Sequence, residues 1–383
     1  MAQLGHIFSR PGGTGAAIAG VATAALFLGI YIRVRPALVE LRPLPVDRHI
    51  IRARTRDAAS STAKAADTND APPCPYRLDE FPGGKQLRTS FGTIQVFEWG
   101  PEDGEKVLLL HGIDLFGRGY SDAPADLPYD DRLYTAQIFL ALSSSPLPWT
   151  GTSAFHILGF SLGGAIAASF ATYHANMLRS VTLICPGGLV RPVHISWRSR
   201  LSYMQGGLLP EWLVQRLARK RLRPSSSHHT SVDIPDGAED ADVDFDAVPV
   251  ARQVPGGPKV GEVVQWQFDG NDGFVPAYVS TIRNAPVYAQ HEALWALLAD
   301  ELAVRRKTEA DRPAGLETGR ICLIVAEKDP IVVAAECIED ARAVLGEAGV
   351  DAHIVKGGHE IGISRGKEIA NIAMESWTKF RKN

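Results

Sequence analysis

Residues Phe155–Gly164 read FHILGFSLGG, and the chain continues from Ala165 to His174 as AIAASFATYH. The stretch Phe155–Phe160 is apolar except at His156, the pattern of a central parallel strand buried on both faces. The Ala-rich run after it has the composition of a helix packed closely on a sheet. Between them, Gly159-Phe160-Ser161-Leu162-Gly163 spells G-x-S-x-G in a strand–turn–helix context. Small residues on either side of Ser161 let neighbouring backbone approach. A tight turn pushes the hydroxyl out at the top of the sheet, and the helix aims its first N–H groups at a place where negative charge could develop. The plainer alternatives are a Gly/Ser-rich βα turn and a phosphate cradle, and the residues further out decide between them.

Further apolar runs occur at Lys106–Leu110, Val181–Cys185, Ile321–Ala326 and Ala352–Lys356, and Gln86–Ser90 with Thr93–Trp99 reads as a hairpin turning at Phe91-Gly92. Helical patterns fall at Ala165–His174, Val275–Tyr288, Glu292–Arg306, Ala334–Ala348 and Lys367–Arg381. Alternation of this kind implies an α/β domain around a mostly parallel sheet. Residues 191–273 interrupt it. There Trp212, Leu213, Arg216, Leu217 and Lys220 fit an amphipathic helix, read as a lid with a solvated basic face, and Pro224 to Pro258 reads as a low-order insertion.

Four local patterns together resemble the α/β-hydrolase superfamily. His111-Gly112-Ile113 ends a buried strand like the family's HG-x turn. Asp114 to Ser121 (DLFGRGYS) looks like its D-x-x-G-x-G-x-S loop. Ser161 sits at the G-x-S-x-G elbow, and Ile321–Asp329 followed by Gly357-Gly358-His359 looks like its acid and histidine turns. The resemblance covers roughly 84–189 and 274–382. It implies a serine esterase or lipase-like enzyme in which Ser161 is the nucleophile, His359 the base and Asp329 the acid that orients it, with the backbone N–H groups of Leu162 and Ile113 as the oxyanion hole. A Ser rather than an Asp at 161 argues against epoxide or haloalkane hydrolysis. Glu327 is the competing acid. His156 reads as a core residue, His174 as a helix-surface residue, and His228 and His229 as inert loop residues. Arg118 and Asp122 are expected to hold their own loop together.

The chain departs from the family at one place. Ile113 is followed at once by Asp114, where the family has a loop, a helix and a further strand. Neighbouring parallel strands need a crossover of about a dozen residues or more, and none is present. One sheet strand and one covering helix are therefore expected to be missing, with a gap beside the His111 strand. An incomplete sequence and a genuine short variant both account for this. The expectation is a poorly soluble or inactive polypeptide, and the alternative function is a catalytically impaired or non-catalytic binding protein.

The 383 residues are 45% hydrophobic and 22% charged with a net charge of −3, which excludes a disordered chain and the basic bias of a nucleic-acid binder. Cys74, Cys185, Cys322 and Cys337 make no C-x-x-C pair, arguing against a disulfide scaffold or a structural zinc site. No cofactor or metal is expected. FGRGYSD lacks the Lys-Ser/Thr pair of a phosphate loop. Gly15 to Ile32 (GAAIAGVATAALFLGIYI) carry no charge and would span about 27 Å as a helix, so a single membrane anchor is expected, ahead of a cleaved signal or a mitochondrial presequence. Arg33, Arg35, Arg42 and Arg48 follow it, against Arg10 before it, which puts the main domain on the cytosolic side, at the endoplasmic reticulum or a mitochondrion. The expected organisation is a tail at 1–14, the membrane helix at 15–32, a basic flank and flexible linker at 33–83, core halves at 84–190 and 274–383, and the lid at 191–273. The expected partner is a small or lipid-like ester.

Overall fold

Where apolar residues run unbroken the chain forms strands, and where they recur every three or four residues it forms helices. The computed structural model describes residues 49–53, 73–196, 199–200, 203, 209–222, 247–251, 256–307 and 313–379. All of these fall in one unit, His49–Asn383. Its strands are β1 (Ile50–Ile51), β2 (Gly84–Thr89), β3 (Gly92–Phe97), β4 (Val107–Leu110), β5 (Ala123–Pro124), β6 (Phe155–Phe160), β7 (Leu178–Ile184), β8 (Ile321–Ala326) and β9 (Val350–Val355). Its helices are α1 (Asp131–Ser143), α2 (Leu162–His174), α3 (Glu211–Leu222), α4 (Val260–Gly270), α5 (Phe274–Asn284), α6 (Leu294–Arg305), α7 (Ala334–Leu345), α8 (Ile361–Ser364) and α9 (Gly366–Lys379).

The central sheet has the order β4-β6-β7-β8-β9, and every neighbouring pair is parallel. β6 and β8 are buried along their whole length, as expected of apolar strands covered on both faces. Phe155, Ile157, Phe170, Leu183, Ile324 and Trp295 anchor the main core. Helix α2 packs on β6 and β7 and is flanked by α1 and α6, α6 packs on α7, and α9 reaches β8.

At its first edge the sheet is open. β4 pairs with β6 on one side, and among the described residues it has no hydrogen-bonded strand on the other, leaving Leu109 57% exposed. The β2–β3 hairpin forms a separate antiparallel sheet. The outer edge of β3 is met by the loop that follows His111. Asp122 N–H donates to the Thr93 carbonyl (2.8 Å), its carboxylate accepts from Thr93 N–H (2.7 Å), and Ser121 Oγ accepts from Gln95 N–H (2.9 Å). Asp122 also takes hydrogen bonds from Arg52 (2.7 Å) and the Ala53 amide (2.7 Å), so it ties together three segments rather than its own loop alone.

Three stretches fold more than their composition suggests. Residues 123–151 carried no expected helix, yet α1 forms there. Asp130 caps it by accepting from the Arg132 and Leu133 amides. Its buried face mixes Tyr134 and Gln137 with Leu133, Ile138 and Leu142, which blurs the apolar stripe. Within the region read as a low-order insertion, Val248 and Val250 are buried. With Val260, Val263 and Trp266 of α4 they build a second core around Cys74, Tyr76 and Tyr120. The partners of these valines lie far upstream in the chain, which is why the local Ser- and Asp-rich sequence hides their role. Residues 73–81, read as the end of a linker, supply those partners, and Tyr76 is wholly buried. Residues 223–246 lie outside the described residues. So do Gly15 to Ile32, and no helix among the described residues is long and apolar enough to cross a membrane.

Candidate active site

Ser161 stands between β6 and α2 with φ 54° and ψ −116°, a conformation that costs a non-glycine residue about 1–3 kcal/mol. The flanking glycines explain how so sharp a turn fits. A Cβ on Gly159 would lie 2.2 Å from the Gly163 carbonyl oxygen, and one on Gly163 would lie 2.0 Å from that of Leu110. The Ser161 N–H donates to Ile184 O (3.0 Å), its carbonyl accepts from Gly187 N–H (3.1 Å), and the turn is thereby fixed to the end of β7.

His359 follows β9 and Asp329 follows β8, so the parallel sheet delivers both to the edge that carries Ser161. His359 Nδ1 lies 2.7 Å from Asp329 Oδ2, and His359 Nε2 lies 2.9 Å from Ser161 Oγ. A carboxylate only accepts, so Nδ1 carries the proton toward Asp329 and Nε2 is left to accept from the Ser161 hydroxyl. The other oxygen of Asp329 accepts from the Ile331 (2.8 Å) and Val332 (2.9 Å) amides. Burial works to raise the Asp329 pKa, but the charge and hydrogen bond of His359 and the two amides outweigh it and hold the carboxyl below its ordinary range. Burial likewise works against the imidazolium of His359, yet Asp329 prevails and the ring's pKa lies above its usual value. Glu327 is exposed and two residues short of the site.

The HG turn lies beside the elbow, as the Leu110–Gly163 approach requires. His111 stacks on Phe160 (5.3 Å between ring centres), and Phe160 in turn packs on His359 (5.2 Å). Burial, with His359 nearby, pushes the His111 pKa down to about 4, so this ring is neutral. Leu162 opens α2 and presents its amide at the helix N-terminus. The Ile113 carbonyl accepts from Gln267 (3.5 Å). Asp114 accepts from the Tyr76 hydroxyl (2.8 Å) and the Tyr120 amide (2.9 Å), and burial raises its pKa to about 6. Arg118 is buried and donates to the Tyr134 hydroxyl (3.1 Å), so it too bonds outside its own loop.

Two residues at the site carried no signal in the sequence. Glu360 is 1% exposed and accepts from the Gly358 amide (2.9 Å), closing the turn that carries His359. Cys185 is wholly buried at the end of β7 with φ 39°, and its sulfur lies within 4.8 Å of ligand atoms of both Asp329 and His359. Of the other histidines, His156 is buried, hydrogen-bonded through Nδ1 with Ser180 Oγ (2.7 Å), and stacked on Trp377 (3.9 Å). His174 is not a free surface residue, because it packs against Phe139 and Phe170. His228 and His229 lie outside the described residues.

A family model described as the alpha/beta hydrolase fold matches residues 93–243. The chain is 32% identical over 143 residues to a probable lysophospholipase, BODYGUARD 4 of Arabidopsis thaliana, covering 37% of this chain and 28% of that protein. It is 37% identical over 51 residues to monoacylglycerol lipase abhd6-B of Xenopus laevis, covering 13% of this chain and 15% of that protein. The matched stretch thus spans about a quarter of the length of the first relative and less of the second. Among solved structures, carboxylesterase CesB of Bacillus subtilis aligns with a TM-score of 0.44 at 13% identity, covering 78% of this chain and 93% of that one. The family model covers less than half of the chain, and the parallel sheet with its flanking helices accords with the fold it describes.

Proposed function

We infer that this chain is a serine hydrolase of the lipase/esterase type that cleaves carboxylic esters, lipid-like acyl esters among them, through an acyl-enzyme. The observation that carries the reading is the His359 ring, set 2.9 Å from the Ser161 hydroxyl and 2.7 Å from the Asp329 carboxylate. In the proposed reaction Ser161 Oγ attacks the ester carbonyl carbon and His359 Nε2 takes its proton. Negative charge builds on the carbonyl oxygen, where the Leu162 amide, with that of Ile113, would receive it. The C–O bond to the alcohol then breaks, and His359 returns the proton to the departing oxygen. Water, deprotonated by the same ring, attacks the acyl-enzyme and frees the acid and Ser161. Asp329 keeps the ring in its tautomer and stabilises the imidazolium. The preference for lipid-like acyl groups draws on the two relatives named above and on Gly15 to Ile32, proposed to hold the enzyme on a membrane with its catalytic domain in the cytosol.

A fluorophosphonate probe tests this. The expected outcome is one adduct at Ser161, located by peptide mass spectrometry and lost in Ser161→Ala, together with turnover of monoacylglycerol and lysophospholipid esters. A second reading, a non-catalytic protein of the same fold, is favoured by the open edge of β4 beside the HG turn. Folded protein that takes up no probe would establish that reading instead.

A further inference from the structure

Helix α3 presents an unusual exposed face. Among the described residues it is the one element with two exposed large apolar side chains, Trp212 at 64% and Leu217 at 42%. Its opposite face is anchored: Val214 and Ala218 are buried against Phe268, Phe274, Val275 and Val279. Glu211 accepts from Arg283 of α5 (2.7 Å), which fixes the start of the helix. The outward side is therefore set by the fold. At about 100° per residue, Trp212, Arg216 and Lys220 recur along one line, with Arg219 on one flank and Leu217 on the other. All five are exposed.

We propose that this face of α3 docks on an anionic phospholipid surface. An indole held in water on a rigid helix gains by entering the headgroup layer, where its ring sits in apolar surroundings and its N–H stays wet. Arg216, Arg219 and Lys220 surround it with positive charge, complementary to anionic headgroups, and their long stems can lie along the surface while the charged ends reach phosphate. The exposed side of the described helix carries three cations, and its acidic residue, Glu211, is paired with Arg283. A helix of 12 residues is about 18 Å long, enough to lie flat and bring all five side chains to one plane. Charge complementarity is what selects this occupant over a second copy of the chain, since two such basic faces would repel. The inference does not depend on the hydrolase reading, because binding is measured separately from turnover.

The experiment uses the full chain with phosphatidylcholine vesicles, and with the same vesicles containing about one-third phosphatidylserine and brominated acyl chains. The wild type is expected to bind more strongly when phosphatidylserine is present, with quenching of tryptophan fluorescence that disappears in Trp212→Phe. Arg216→Glu combined with Lys220→Glu is expected to lower the phosphatidylserine-dependent part of binding about tenfold or more. Its circular dichroism and fluorophosphonate labelling should be unchanged. Comparing the two vesicle types removes any binding due to Gly15 to Ile32. Undiminished quenching in Trp212→Phe, or phosphatidylserine-dependent binding unaltered by the charge reversals, would overturn the proposal. So would concentration-dependent dimers abolished by Trp212→Ala in the absence of vesicles.

Discussion

The imidazole of His359 is constrained from three directions: the carboxylate of Asp329, the hydroxyl of Ser161 and the ring of Phe160. Because its pKa lies above the ordinary 6.5 and only the neutral ring can take a proton, kcat/KM for an ester should fall on acidification with a midpoint above pH 6.5. Asp329→Asn should lower kcat by roughly 10⁴-fold and move that midpoint down. A profile from pH 5 to 9 on a chromogenic ester, wild type against variant, checks both. Asp114 gives a stability prediction of opposite character. Its folded pKa of about 6 lies above the unfolded value near 4, so folding favours the protonated form. The penalty is absent below about pH 4, grows as pH rises, and is complete above about pH 6. Asparagine keeps the oxygen that accepts from Tyr76 and Tyr120. Asp114→Asn should therefore stabilise the protein by up to about 3 kcal/mol at pH 7 in urea denaturation and by little at pH 4. An equal gain at both would show that charge is not the cause. Ser161, Asp329 and His359 were legible because each sits in a short pattern at a strand end. Glu360 and Cys185 were not, because a buried polar residue is chosen by neighbours remote in the chain.

At the next scale, elements were readable in proportion to how local their stabilisation is. β6 and β8 matched their expected bounds because both are buried along their whole length and are apolar but for His156 of β6, so the run of residues itself marks the strand. α1 escaped notice because Gln137 on its buried face bonds the Phe116 amide (3.0 Å), an interaction no periodicity shows. The βα turn makes the sharpest prediction. With 2.0 Å between a would-be Cβ and Leu110 O, Gly163→Ala requires β4 or α2 to move. It should cost about 3 kcal/mol in a denaturant titration and lose fluorophosphonate labelling. A variant of unchanged midpoint would mean that the two elements are not in register as described.

For the whole molecule, the decisive fact is that the β-structure comes as a hairpin and a five-stranded sheet rather than one continuous layer. A lone hairpin is only marginally stable, and the outer edge of this one is held by a backbone bond from Asp122 and by the side chains of Ser121 and Asp122, where a neighbouring strand would give a full ladder. Amide hydrogen exchange should therefore find the β2 and β3 amides opening together at lower free energy than those of β6 and β8. Uniform protection across all four would contradict this. The sequence raises the expectation of a missing strand and helix after Ile113, but carries no sign that the Asp114–Asp122 loop folds back against β3. That outcome rests on backbone and side-chain bonds between segments separated in the chain.

The β4 edge, which has no second strand among the described residues, also bears on how copies of such a chain meet one another. Among the described residues, an edge strand without a second neighbour, next to the exposed Leu109, is what one polypeptide offers another as a template for pairing and aggregation. Self-association through that edge would then rise with concentration before the core itself opens.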